Sequence, residues 1–262
     1  MPFIQANNIK FYYEQQGSGK DLVLISGLSA DHNAWAFVLP ELTKHYKVTV
    51  FDNRGAGQSD VPEGNYSIDM MAEDTKAIMD ELNIDLAYVV GHSMGGMIAE
   101  QLAIKYPQKV NALGIVCSAA KRNARSNQWL ELSGKMIEAE VDVPIIADYT
   151  FSYLFGSDFI ANASNAQNWL DLILSNPYPQ TLAGYKSQLY ATQTYNALDT
   201  LAEIKTKTLI IAGRDDILTP LSASEAIHQV INQSELTILP CGHMPNIECP
   251  EKLADEIINW LN

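Results

Sequence analysis

Short, unbroken apolar runs alternate with helix-period segments along most of this chain, and that alternation restricts the possible folds more than any other feature. "DLVLISG" (21–27), "YKVTVFDNRGAG" (46–57), "LAYVVGHS" (86–93), "VNALGIVCSA" (110–119), "KTLIIAG" (207–213) and "SELTILP" (234–240) each predict a strand. Runs of this kind suit strands covered on both faces, as in a parallel sheet. "IKFYYEQQG" (9–17) alternates and ends in Gly17, which predicts an early strand and turn. Helical periods fill 67–82, 94–106, 222–232 and 250–261. Ser222-Ala223-Ser224-Glu225 has the form of a capping box, and Pro250 suits a first helical position. Strands and helices in this order predict an α/β fold, a mostly parallel central sheet flanked by helices.

One stretch breaks the alternation. Residues 120–203 contain no convincing strand and read as several helices rich in aromatics, among them Trp129, Phe155 and Trp169. The pattern predicts a core made of residues 1–119 and 204–262, with 120–203 inserted as a helical cap. At 262 residues, 47% of them hydrophobic, the chain has material for one sizeable core.

Charge narrows the partners. The formal net charge is −14, which argues against nucleic acid and against docking on an anionic membrane, since both need clustered cations. "KRNAR" (121–125) is a local basic exception, either a solvated surface or a contact for an anionic substrate or carrier. The three cysteines, Cys117, Cys241 and Cys249, have no metal-site spacing and read as free thiols in a reducing compartment. No basic, apolar leader and no run of membrane-spanning length is apparent, so a cytoplasmic location is the expectation. Nothing in the sequence distinguishes a monomer from a homodimer.

Chemistry enters at "GHSMGG" (91–96). Ser93 lies where an apolar strand gives way to a helix, between Gly91 and Gly95. A G-x-S-x-G turn of this kind strains the serine backbone and lifts its hydroxyl toward the carboxyl edge of the sheet, where ligands bind in open parallel sheets. The Met94 amide then opens a helix and can receive an anion. A serine hydroxyl is a weak nucleophile until a base removes its proton. His243 is the candidate base, in a loop after the last strand. His32 and His45 precede the serine, His228 lies within a predicted helix, and His92 neighbours Ser93 on a turn whose side chains diverge. Asp215 and Asp216 both follow a strand end and could orient the histidine.

Taken together, "LISGLSADHNAW" (24–35), "VFDNRGAGQSD" (50–60), "GHSMGG", "LIIAGRDDILTP" (209–220) and "GHMPNIECPEKLADEI" (242–257) resemble the α/β-hydrolase superfamily over nearly the whole chain. The resemblance implies that the acid is the aspartate four residues before the proline of G-x-x-D-x-x-x-P, which selects Asp216. It implies a second oxyanion donor in the Leu28 amide. Many relatives carry His-Gly where this chain has Ser26-Gly27. Arg54 reads as structural. Serine at the nucleophile position implies acyl transfer on a small ester, lactone or thioester, free or carrier-linked, with no cofactor and no metal. Chains of this cap pattern resemble 3-oxoadipate enol-lactonases, carboxylesterases and pimeloyl-[acyl-carrier-protein] methyl ester esterases. Trp129, Phe155 and Trp169 are the candidate substrate-binding residues. Carbon–carbon bond hydrolases of the same fold, and triad-bearing small-molecule receptors with little turnover, are the alternatives.

Overall fold

The structure, a computed structural model, describes residues 2–262. One sheet is built from β1 (Phe3–Ala6), β2 (Ile9–Gly17), β3 (Lys20–Ile25), β4 (Tyr46–Phe51), β5 (Ala87–His92), β6 (Val110–Val116), β7 (Thr208–Gly213) and β8 (Ser234–Leu239). The spatial order is β1-β2-β4-β3-β5-β6-β7-β8. Strand β2 runs antiparallel to β1 and β4, and the remaining pairings are parallel. Strand β1, which the apolar pattern does not announce, folds back on β2 through Asn7 and Asn8. Both residues have positive φ, 48° and 62°, a hairpin conformation that asparagine tolerates better than most residues.

The helices are α1 (Leu39–Leu42), α2 (Ile68–Glu81), α3 (Met94–Lys105), α4 (Ala124–Glu138), α5 (Val143–Leu154), α6 (Ser157–Ile160), α7 (Ala163–Ser175), α8 (Leu182–Thr194), α9 (Leu221–Val230), α10 (Pro245–Glu248) and α11 (Pro250–Leu261). Alternation along the central strands explains the layers. Val23, Ile25, Val89 and Ile115 point to one face, where Met71, Ile98 and Leu102 of α2 and α3 cover them. Leu22, Leu24, Val90 and Val116 point to the other, against Leu42 of α1 and Leu253, Ile257 and Trp260 of α11. Burying both faces excludes water from the sheet, and each fully buried aliphatic side chain contributes about 1.5–3 kcal/mol. Among the described residues, no helix is long and apolar enough to cross a membrane.

One local expectation fails. Helix α9 starts at Leu221 with Pro220 in the cap position and no side-chain cap bond, so Ser222 to Glu225 lie inside the helix and form no capping box. Pro220 already has φ −61° and ψ 155°, and an extended, donor-free proline of this kind lets the helix begin directly behind it.

Between β6 and β7 the chain forms α4 to α8 and no strand. The two ends of this excursion meet at a bridge between Lys121 and Asn196. Its contacts with the rest of the molecule fall on the loops that leave the carboxyl ends of the strands. Gln180 donates to the Gly55 carbonyl at 2.8 Å, Gln188 to that of Arg54 at 2.8 Å, and Asn176 to Asp31 at 3.0 Å. The helices therefore sit over the edge of the sheet at which Ser93 emerges.

Candidate active site

Ser93 occupies the turn between β5 and α3 with φ 56° and ψ −118°, a conformation that a residue with a Cβ adopts only when its surroundings enforce it. Its amide donates to the Val116 carbonyl at 2.9 Å, and its carbonyl accepts from the Ser118 hydroxyl at 2.8 Å. Gly91 and Gly95 make the turn possible. A Cβ on Gly91 would run into the Gly95 backbone, and one on Gly95 into the Ile25 carbonyl. Strand β5, helix α3 and strand β3 can therefore close around the serine only where those positions carry no side chain.

The three polar side chains expected to meet do so. Ser93 Oγ lies 3.0 Å from His243 Nε2, and His243 Nδ1 lies 2.8 Å from Asp216 Oδ2. Because Nδ1 faces a carboxylate, it carries the imidazole proton, and the Nε2 lone pair faces the Ser93 hydroxyl. Asp216 and His243 are both buried. Burial pushes the Asp216 carboxyl upward, but the His243 charge and hydrogen bond, joined by donors from Thr219, outweigh it and hold the group below the ordinary carboxylate value. The Leu218 and Thr219 amides each donate to Asp216 Oδ1 at 2.8 Å, and the Thr219 hydroxyl donates to Oδ2 at 2.6 Å. Asp215, the other aspartate of the pair, turns away. It is half-buried, and its carboxylate lies 3.7 Å from its neighbour Arg214.

Two backbone donors stand beside the serine. Among the described residues neither the Leu28 amide nor the Met94 amide has a hydrogen-bond acceptor. Met94 is the first residue of α3, where the helix end favours negative charge. The Leu28 loop approaches so closely that a Cβ on Gly27 would lie 3.2 Å from Ser93 Cβ. Ser26 supports that loop in place of a histidine. Its hydroxyl donates to the Asp31 carbonyl at 2.9 Å, while its own carbonyl accepts from Asn53 at 2.9 Å. Asp52 binds the same loop through the His32 amide and ring, at 2.8 and 2.7 Å. Arg54 is tied to Asp74 by a buried two-point ion pair, in keeping with a structural role.

The histidine loop has supports that pattern reading does not single out. His92 Nε2 donates to the His243 carbonyl at 2.8 Å, and the His243 amide donates to the Leu154 carbonyl at 2.7 Å. Burial, reinforced by the nearby His243 charge, pushes His92 down to about 3, so it stays neutral. Glu248 accepts from the Gly242 amide at 2.8 Å and the Gly156 amide at 3.0 Å, joining this loop to the end of α5. The only sequence sign of Thr219 is its place before the proline of "DILTP", and Glu248 has no sign beyond following the loop.

The aromatics of the helical excursion divide into two groups. Trp129 stacks on Tyr153 with ring centroids 5.5 Å apart, in a cluster with Leu130, Leu218 and Leu28. That cluster includes Leu28, whose loop lies against Ser93. Phe155 and Trp169 pack against each other at 5.2 Å, with Phe151 and Phe159 alongside Phe155. Trp129 thus shares a cluster with Leu28, while Phe155 and Trp169 share one with Phe151 and Phe159.

Comparison with known proteins finds similarity over nearly the whole chain. The sequence description of the alpha/beta hydrolase fold family matches residues 21–250. The chain is 31% identical to 3-oxoadipate enol-lactonase 1 of Acinetobacter baylyi, over 88% of this chain and 84% of that one. It is 30% identical to a protein of Pseudomonas savastanoi pv. phaseolicola provisionally named carbamate hydrolase RutD, over 92% of this chain and 93% of that one. Among solved structures, a hydrolase from Pseudomonas aeruginosa PA01 superposes with a TM-score of 0.88 at 26% identity, covering 99% of this chain and 97% of that one.

Proposed function

The chain belongs to the α/β-hydrolase family, and from that premise we propose that it is a serine hydrolase that cleaves a small carboxylic ester or lactone through an acyl-enzyme on Ser93. The observation that carries the reading is the unbroken line from Ser93 Oγ through His243 to Asp216, with contacts of 3.0 and 2.8 Å. As Oγ attacks the substrate carbonyl, its proton passes to His243 Nε2, and the imidazolium that forms is stabilised by the ionised Asp216. The carbonyl oxygen takes up negative charge and is met by the Leu28 and Met94 amides, donors that need no reorganisation when the charge appears. Collapse of the tetrahedral intermediate breaks the bond to the leaving oxygen, which takes the proton from His243. Water, deprotonated by the same imidazole, then releases the acid and regenerates Ser93.

Enol-lactonases and carbamate hydrolases, as the relatives are named, act on substrates with an sp² carbonyl and a heteroatom leaving group. The same steps serve both, so the assay spans both. Purified protein is offered p-nitrophenyl acetate, p-nitrophenyl butyrate, a five-membered enol-lactone, a thioester and an aryl carbamate. Turnover of at least one ester or lactone, with a burst of p-nitrophenol equal to the enzyme concentration where deacylation is slow, is the expected outcome. A folded protein that turns over none of them overturns the hydrolase reading and leaves a ligand-binding role. The cap is proposed to set which acyl groups enter, through the Trp129 and Tyr153 wall, and to contribute no reacting group.

A further inference from the structure

The basic cluster at 121–125 finds no task in this chemistry, yet part of it is half-buried. Arg122 donates to the Thr192 hydroxyl at 2.6 Å and to the Ser126 carbonyl at 3.1 Å. Both acceptors are neutral. Arg54 and Arg214 each lie against an aspartate, whereas Arg122 has no carboxylate within ion-pair distance among the described residues. A guanidinium withdrawn from water without a directly paired carboxylate is unfavourable, and its burial, only partly offset by the more distant Glu131 charge, pulls it down to about 10. It lines a cavity of about 210 Å³ together with exposed Lys121, Asn123 and Ser222, and no acidic residue shares that lining. The contrast with a neighbouring cleft is informative. A cavity of about 250 Å³ on another side of the Asp215 loop is lined by Asp158, Asp215 and Glu248, so positive lining is not general to clefts of this acidic protein.

We propose that the cavity beside Arg122 and Lys121 is a second binding site, separate from Ser93, that takes a small oxyanion group, a carboxylate or a phosphate. Arg122 supplies planar, paired donors suited to either group, Lys121 supplies a second charge, and Asn123 offers a neutral donor. The far wall is Leu218, Thr219 and Pro220, and none of Ser93, Leu28, Met94 or His243 lines the cavity. The same Leu218 and Thr219 hold Asp216 through their amides. A ligand seated here therefore rests against the back of the loop that carries the triad acid, while leaving the nucleophile open.

Binding is measured without turnover, so the result stands apart from the hydrolase reading. The full chain is titrated by calorimetry with inorganic phosphate and, separately, with succinate, at an ionic strength held constant with sodium chloride. Saturable binding of at least one, with one site per chain, is expected. Phosphate alone identifies a phosphorylated ligand, and succinate alone a carboxylate. Arg122→Gln should weaken that binding by about fivefold or more, the loss of a charge-assisted bidentate contact. Because Arg122 also bonds Thr192 and Ser126, two variants at exposed positions guard against misfolding. Lys121→Gln should weaken binding at least twofold, by roughly the effect of one charge in partly wet surroundings. Ser222→Glu puts a carboxylate at the lip of the cavity in the first turn of α9, where a negative side chain favours the helix, and should abolish binding without loss of thermal stability. Absence of saturable binding by folded wild-type protein, or binding unchanged in Lys121→Gln and Ser222→Glu, overturns the proposal.

Discussion

His92 hands its Nε2 proton to the backbone carbonyl of His243 at 2.8 Å, so the neighbour of Ser93 fixes the loop that carries the proposed base. The two imidazoles stand 5.0 Å apart between ring centroids, and only one faces Ser93. His92→Leu removes the donor and should lower kcat by about 10- to 100-fold, as small misplacements of a base do, with KM little changed. His92→Gln, whose amide can still donate, should recover part of the loss. Equal activity of His92→Leu and wild type would show that the contact does not position His243.

Asp216 and Asp215 are adjacent but differ in every contact that matters for the proposed mechanism. Asp216→Asn should reduce kcat by about 10⁴-fold, since the amide can no longer hold the proton-bearing Nδ1 or balance an imidazolium. Asp215→Asn should cost less than about tenfold by the same reasoning. Steady-state rates of the two variants on one ester decide the point, and a reversed ranking would contradict the register read from "GRDDILTP".

These contacts mark how far the sequence is legible. The strands β3 to β8 follow from apolar runs, and the turn at Ser93 from the glycines at 91 and 95, because close approach of backbone leaves a direct trace in residue type. The choice of Asp216 over Asp215 comes from the family resemblance, whose motif places the acid four residues before Pro220. The capping box at 222–225 misleads because Pro220, two residues earlier, starts the helix first. The supports contributed by His92, Thr219 and Glu248 are not legible, since each bonds to a residue remote in the chain or to backbone, and such bonds place no demand on neighbouring residue types. The roles of Trp129, Phe155 and Trp169 are indistinct for the same reason. An aromatic in a helical excursion has one composition whether it faces a substrate or a neighbour.

Trp129 and Phe155 test that division. Trp129→Ala opens the wall next to Leu28 and should shift the preferred acyl length, with changes in kcat/KM of about 10- to 200-fold between short and long esters. Phe155→Ala leaves that wall intact but empties a packed aromatic cluster, and should cost about 3–5 kcal/mol of stability with acyl preference retained. Ester-series kinetics and thermal melts on both variants separate the effects. A Phe155→Ala enzyme that keeps its melting temperature and changes acyl preference would place the substrate in the other cluster.

Glu100, on α3 behind Ser93, is fully buried. One carboxyl oxygen accepts from Tyr195 at 3.1 Å, and the other has no partner among the described residues. Burial pushes this acid up to about 8, partly offset by the Tyr195 bond, from an ordinary value of 4.5. In the folded state it holds its proton, and in the unfolded chain it ionises above 4.5. Its contribution is thus most favourable below pH 4.5, declines as pH rises toward 8, and is flat beyond. Within that window each pH unit costs up to about 1.4 kcal/mol. Glu100→Gln cannot ionise, so its melting temperature relative to wild type should climb as pH increases across the window. A difference that stays constant with pH would mean the carboxyl is already ionised in the fold.

The most direct test of the central claim is covalent. Wild-type protein and Ser93→Ala are each treated with a fluorophosphonate, and the intact masses and labelled peptides are read by mass spectrometry, with circular dichroism to show that both are folded. A single adduct on the peptide containing Ser93 in wild type, and none in Ser93→Ala, is the outcome the account predicts. Label that persists in Ser93→Ala, or a folded wild-type protein that takes none, would contradict it.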